Sequence, residues 1–401
     1  YATSFPATTG QTVTVNSTSA DTNDPLLLTH DGENYAYVPP NGGSLQLPAN
    51  TLDHGDDTEY ILRMDAPSGG QSTILFSGNG EGTSQFGLQV NGIGSIIATW
   101  RIGAATKYVN LKGIGTYPSG VFWMRVTRTA STGDVSCWVK PDSASKPTDW
   151  GSTFATGTTV DTGAPDASTG NCLIGPVATA AIAVHYVEAN SVVINAATDI
   201  TDAGATSFTA TTGQTVTVSR GTSGRKTTLV TRPTWLFGTD DFLEVADNAV
   251  LDVTGPSDPL TVIAIARNWD SIVGPHVVKA GNIFSSAPTG CGLYAQNRLK
   301  VGDGTPAGTS ANGSTVAAAL VATIGQISDD LVRVDTTEMT DPGVSISTMT
   351  SAANSDTVLI GKNGTTGTSY SDAEIVAVAV WRRVLTTDEI AAINSHYGTG
   401  A

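Results

Sequence analysis

Short runs in which apolar and polar residues alternate dominate this chain, and each predicts a β-strand with one buried face. Gln11–Val15 (QTVTV) alternates with period two. So does Asp134–Val139, which places Val135, Cys137 and Val139 on one side and Ser136 and Trp138 on the other. Ala373–Trp381 (AEIVAVAVW) is apolar on both faces after its first residues, which predicts a central strand. Val177–Val187, the longest apolar run, is interrupted by His185 and is too short to span a membrane, so it too reads as a strand. Turn-forming clusters such as Ser77–Gly82 and Gly361–Gly367 separate these runs. One helix is predicted, over Leu385–Gly398. Thr386 and Glu389 have capping-box spacing, Leu385 and Ile390 sit where a hydrophobic staple forms, and Gly398 is a natural stop. Ile390 and Ile393 would dock it on a sheet, whereas Ser191–Ala197 lacks this chemistry.

The chain repeats itself. Ala2–Val15 and Ala205–Val218 differ only at Pro6 against Thr209, an offset of 203 residues that marks a duplication. With the turn-rich Asp199–Ala205 as linker, this predicts two domains, 1–200 and 201–401. Later segments align in order. Glu33-Asn34-Tyr35 answers Asp240-Asp241-Phe242, Ser44–Leu47 answers Val250–Val253, Cys172–Gly175 answers Val358–Gly361, and Ala183–Val187 answers Ala377–Trp381. The predicted fold class is all-β, two tandem antiparallel sandwiches with a short C-terminal helix.

Composition narrows the function classes. Hydrophobic residues make up 39% and charged residues 14%, which suits a folded chain rather than a disordered one. A net charge of −16 with scattered Lys and Arg argues against nucleic acid, and the same charge would repel an anionic lipid surface. Three cysteines, Cys137, Cys172 and Cys291, are too few for a disulfide framework. A Cys137–Cys172 bridge competes with their reading as small buried hydrophobes, and Cys172 answers an ordinary Val358.

Phe237–Asp247, Phe122–Arg128 and the closing Ile375–Ile393 stretch with its LTTDEI ending resemble the laminin-G-like, concanavalin-A-like jelly-roll superfamily. The resemblance implies two packed antiparallel sheets per domain. Thr206–Asn248 is similar to a stretch found in minor tail proteins of phages infecting actinobacteria, and the first copy shares it at Thr3–Val15 but departs over Asn16–Asn34. That second resemblance implies a virion protein whose partners are other virion proteins, copies of itself or host-surface glycans.

Candidate chemistry is sparse. No Glu-x-Asp-x-x-Glu strand, Gly-x-Ser-x-Gly elbow or His-Glu-x-x-His helix occurs, and Glu244 and Asp247 fall on opposite faces of a strand. His185, opposite Ala379 in the alignment above, reads as a strand residue. Asp240 and Asp241, adjacent acids after a glycine turn, are candidates for calcium, against the plainer reading of a solvated acidic turn. Trp138, on the polar face of its strand with Ser136 and Lys140, is the candidate for stacking on a sugar. Trp100 and Trp381 are expected in the core. Together these features predict a non-enzymatic binding or structural protein, a phage minor tail protein by resemblance. A capsid decoration protein and a bacterial surface adhesin or lectin-like module are the alternatives.

Overall fold

The computed structural model describes residues 4–6, 12–17, 26–28, 32–39, 44–47, 57–65, 71–77, 86–91, 95–102, 105–112, 120–158, 162, 172–175, 181–189, 192–202, 205, 207–219, 228–237, 241–247, 249–268, 274–280, 289–295, 298–303, 309–312, 320–335, 343–364, 370–371 and 373–399. It divides into two units. One is His30–Arg232, the first module; the other joins Tyr1–Thr29 to Pro233–Ala401, the second module. The division therefore differs from a cut at residue 200. The reason is strand pairing: Thr215–Ser219, although it opens the second sequence repeat, pairs with Ser44–Leu47 of the first module, and Ser207–Thr209 pairs in turn with Thr215–Ser219.

Each module is an antiparallel two-sheet sandwich. In the first, the front sheet runs Ala155–Thr158, Asp134–Pro141, Val121–Arg128, Thr58–Asp65, Ile182–Ala189, Tyr35–Val38, Thr228–Val230. The back sheet runs Ala105–Lys112, Ser95–Ile102, Phe86–Asn91, Gln71–Ser77, Cys172–Ile174, Ser44–Leu47, Thr215–Ser219, Ser207–Thr209. The chain crosses between sheets after Tyr35–Val38, Ser44–Leu47 and Thr58–Asp65, the interleaving of a jelly roll.

The second module repeats this order strand for strand. Its front sheet runs Val344–Ser345, Leu331–Asp335, Val321–Ser328, Leu260–Asn268, Ala373–Trp381, Thr234–Phe237, Leu26–Leu28. Its back sheet runs Thr309–Asn312, Arg298–Asp303, Thr289–Tyr294, Pro275–Ala280, Val358–Ile360, Asp241–Val245, Thr12–Ser17, Ser4–Pro6. Ala373–Trp381 is central, with strands on both sides.

Register fixes which residues correspond. Leu45 and Leu243 both pair with the duplicated valine, Val218 or Val15, and Cys172 pairs with Leu47 as Val358 does with Val245. The Cys172–Val358 equivalence from sequence stands. Three others shift. Ser44–Leu47 answers the Asp241–Val245 strand, not Val250–Val253; Tyr35–Val38 answers Thr234–Phe237, not the Phe242 segment. His185 lies at a bulge between Val184 and Tyr186, and the matching bulge residue of the second module is Val376, not Ala379. Tyr35 answers Thr234 and Ser44 answers Phe242, and short alternating runs look alike at several offsets, so apolar pattern alone does not fix which run answers which.

The interiors are aliphatic and aromatic. Trp100, Tyr60, Phe122, Met124, Leu45 and Leu62 are buried between the sheets of the first module. Trp100 is thus in the core, as its parity with Ile96 predicts. The second module packs Leu251, Leu260, Val262, Leu293 and Leu299, with Phe237, Leu243 and Ile375 forming an adjoining cluster. The three cysteines are buried free thiols, and burial pushes that of Cys291 up to about 12.

The helix spans Thr387–Tyr397, capped by Thr386 in a full capping box with Glu389 and closed by Gly398 at φ 66°. Leu385 and Ile390 are buried, with Ile393, Tyr397 and Trp381 beside them, against Ile263, Ile265, Ala322 and Ile324 on the outer face of the front sheet. Among the described residues of the first module the one helix is the single turn Ala196–Asp199, whose N-cap Asn195 makes no side-chain cap hydrogen bond.

Candidate functional site

The outer face of the first module's front sheet is where the two modules part company. Cross-strand pairing sets Lys140, Trp123, Arg63 and Tyr186 in one row and Trp138, Arg125, Ile61 and Glu188 in the next. The equivalent residues of the second module are Ala322, Ile265 and Ala377 in one row and Asp335, Ile324, Ile263 and Ala379 in the next, and its helix packs over Ala322, Ile265, Ala377, Ile324 and Ile263. At Trp123, Arg63, Tyr186, Arg125 and Glu188 an aromatic or charged residue stands where the second copy is aliphatic, whereas Trp138 answers Asp335.

Among the described residues of the first module no long helix covers the rows. The Asp142–Trp150 stretch leans on them instead. Trp123 Nε1 donates to the Ser143 carbonyl at 2.9 Å, and Arg63 forks onto both Asp142 oxygens at 2.7 and 3.1 Å while also pairing with Glu33. These hydrogen bonds from Arg63 hold the Asp142 carboxyl below the usual range. Lys146 reaches Glu188 at 2.7 Å, and the Tyr186 hydroxyl donates to the same carboxylate at 2.6 Å. Trp150 is buried against Ile61 and Trp123.

Trp138 keeps intermediate exposure with Ser136 and Lys140 on its side of the strand, as the alternation predicts. The Arg125 guanidinium lies 4.8 Å from the Trp138 ring centroid and 6.0 Å from that of Trp150, and also pairs with Glu59. A cation–π partner on an indole fixes the ring and stiffens it as a platform. Around that platform stand Arg125, Glu59 and Lys140, donors and acceptors suited to hydroxyl groups. Strand parity alone picks out Trp138. It does not place Trp123 and Trp150, and it misses Arg63, Arg125 and Tyr186; the signal lies in comparing equivalent strands of the two copies, which needs the correct register.

Asp240 lies outside the described residues. Asp241 is fully buried as the first residue of the Asp241–Val245 strand, its backbone paired with Ser17. Calcium requires six or more oxygens, and among the described residues no group of three or more His, Cys, Asp or Glu gathers at any point. Glu33 and Asn34, aligned with those acids by sequence, serve structure: Glu33 pairs with Arg63, and the Asn34 amide donates to the Ile200 carbonyl at 2.6 Å.

Several acid–base groups among the described residues are paired or buried. Asp247 and Asp252 both bind the buried Lys279 ammonium, at 2.8 and 2.6 Å. His30 and His54 lie outside the described residues. His185 stacks on Tyr35 with ring centroids 5.1 Å apart, and burial lowers its pKa to about 4. His276 is fully buried with no hydrogen-bond partner at either ring nitrogen, and burial alone brings it to about 4. An unfolded histidine takes a proton below about pH 6.5 while His276 in the fold resists until about 4. Stability is therefore full above pH 6.5 and falls as the pH drops toward 4, by about 1.4 kcal/mol per unit for this residue. In denaturant titrations from pH 7 to 4.5, His276→Leu should flatten that slope relative to the parent; equal slopes would remove His276 as its source.

No protein-family model and no curated protein matches this sequence. Solved structures similar to it include domains LG4-5 of the mouse laminin alpha1 chain, 11% identical over 89% of this chain and 92% of that one, with a TM-score of 0.33. The LG1-3 region of the laminin alpha2 chain is 11% identical over 87% and 66%, at a TM-score of 0.29. A heptameric SAP-like pentraxin from Limulus polyphemus is 13% identical over 40% and 77%, at 0.28.

Proposed function

We propose that this chain is a non-enzymatic binding protein whose first module presents the Trp138 face to a carbohydrate, and that it works on a phage virion as a minor tail protein. The observation that carries the binding half is the contrast between copies. Where the second module holds Ala322, Ile265, Ile324 and Ala377 beneath a capped helix, the first holds Trp123, Arg63, Arg125 and Tyr186, and beside them the partly exposed Trp138, which answers Asp335, lies against the Arg125 guanidinium. A ring of this kind stacks on the C–H face of a sugar while the charged groups meet its hydroxyls. The virion half is supported by the sequence likeness of Thr206–Asn248 to phage tail proteins. Glycans of the host surface are the ligands that both halves share.

Binding of host cell-wall oligosaccharides, followed by tryptophan fluorescence and by calorimetry with and without calcium, tests this directly. Trp138→Ala should weaken binding at least tenfold and leave the melting temperature within a few degrees, because the residue is not in the sandwich core. Release of reducing ends from the same oligosaccharides, or binding unaltered by Trp138→Ala, would overturn the reading.

A further inference from the structure

Two cations flank the Trp138 ring, and both keep donors in reserve. Arg125 directly faces Trp138 across the strand pair, with its guanidinium carbon 4.8 Å from the ring centroid. Its Nε donates to the Glu59 carboxylate, while among the described residues its two Nη groups make no hydrogen bond. The Arg125 side chain is 30% exposed, so water and ligand can reach it. A guanidinium offers its Nη1 and Nη2 hydrogens as a flat fork that matches the two oxygens of a carboxylate. With the indole against the guanidinium and Glu59 at Nε, that fork is fixed before any ligand arrives.

The charge around the ring leans the same way. Glu59 offsets Arg125, but Lys140, two residues along the outer face from Trp138, makes no ion pair among the described residues. Its Nζ lies over the Gly151 turn, 3.1 Å from where a Cβ on that glycine would sit. Asp149, the acid on this turn, accepts from the Gly151 backbone N–H at 2.8 Å and does not pair with Lys140. In the second module Ile324 answers Arg125, Thr261 answers Glu59 and Asp335 answers Trp138, so neither the fork nor the indole is repeated there.

A neutral sugar lying on Trp138 would cover both cations and return only hydroxyl oxygens to them. A carboxylate returns charge-assisted hydrogen bonds, which are about twice as strong as neutral ones. The net charge of −16 repels acidic polymers at long range, so their attachment depends on a local arrangement of this kind. We infer that the Trp138 face takes a sugar bearing a carboxylate, a uronic acid unit, with the Arg125 fork on the carboxylate, Lys140 beside it and the indole under the ring. This rests on the carbohydrate reading above and adds the charge of the ligand to it.

Oligosaccharides of glucuronate, galacturonate and mannuronate, each with its carboxyl-reduced counterpart, are titrated into the full chain by calorimetry. Reduction turns the acid into a primary alcohol and leaves the ring stereochemistry unchanged. At least one acid should bind, and its reduced counterpart should bind about tenfold more weakly. Lys140→Gln should weaken the acid severalfold and leave the reduced form unaffected. Arg125→Lys keeps the charge but loses the fork, and should weaken the acid by about tenfold. Equal affinity for an acid and its reduced form, lost in Trp138→Ala, would overturn this inference and leave the carbohydrate reading standing. Tighter binding of the reduced forms, or unchanged affinity for the acid in both Lys140→Gln and Arg125→Lys, would also overturn it. Absence of Trp138-dependent binding to any oligosaccharide, these or the cell-wall set, would overturn both.

Discussion

The Gly361→Ala variant is expected to unfold its module at a temperature lower by roughly 4–16 °C, for a loss of about 2–4 kcal/mol. Gly361 sits at φ 86°, a conformation that costs an L-residue, and a Cβ there would lie 2.6 Å from Cδ1 of the buried Phe237 ring. The Asp241 carbonyl oxygen, at 3.3 Å, blocks retreat on the other side. The equivalent Gly175 has φ 74°, and its Cβ would meet Val38 Cγ1 at 2.8 Å, Val38 being the counterpart of Phe237. The same glycine therefore guards the same corner in both modules. Gly175→Ala should produce a loss of similar size in the first module, seen by calorimetry as a shift of the other transition. Melting of Gly361→Ala within a degree of the parent would mean that Phe237 has room to move.

Glu374→Leu is expected to cost the second module about 3–5 kcal/mol, because it strands the Arg267 guanidinium in the interior. Arg267 Nη1 lies 2.8 Å from Glu374 Oε2, and both side chains are almost wholly buried, at 0% and 1% exposure. Adding Arg267→Met to the same chain should restore most of the loss, since an apolar pair fills the space without a desolvated charge. The first module supports the idea that the pair is replaceable: its equivalent positions hold Asp65 and Ala183. Equilibrium urea unfolding of both variants decides the matter. A double variant no more stable than Glu374→Leu alone would show that the pair's worth lies in its attraction rather than in avoided isolation.

Much of the architecture is legible in the amino-acid sequence. Alternation in Asp134–Val139 puts Cys137 inside and Trp138 outside because strand side chains alternate by geometry alone. The capping box at Thr386 and the stop at Gly398 are readable because helix ends obey local hydrogen-bond chemistry. Duplication is evident from Ala2–Val15 and Ala205–Val218, and the place of Cys172 from its valine counterpart. Each of these depends on neighbours close in the chain or on identity between copies.

What the tertiary structure decides is partnership at long range. Repeat boundaries in sequence suggest a cut at residue 200, but hydrogen bonding assigns Thr215–Ser219 to the module before it and Thr12–Ser17 to the module after an intervening one. A strand's edge is indifferent to where in the chain its partner lies, so sequence order does not dictate it. The register of Ala373–Trp381 hangs on a single bulge, and with it the match of His185 to Val376 and of Arg63 to Ile265. Only with that register in place does the Trp138 face emerge as the polar counterpart of the helix-covered face. Local patterns determine which side of a strand is wet; which strands lie side by side, and so which wet residues form one surface, is settled by packing across the whole sandwich.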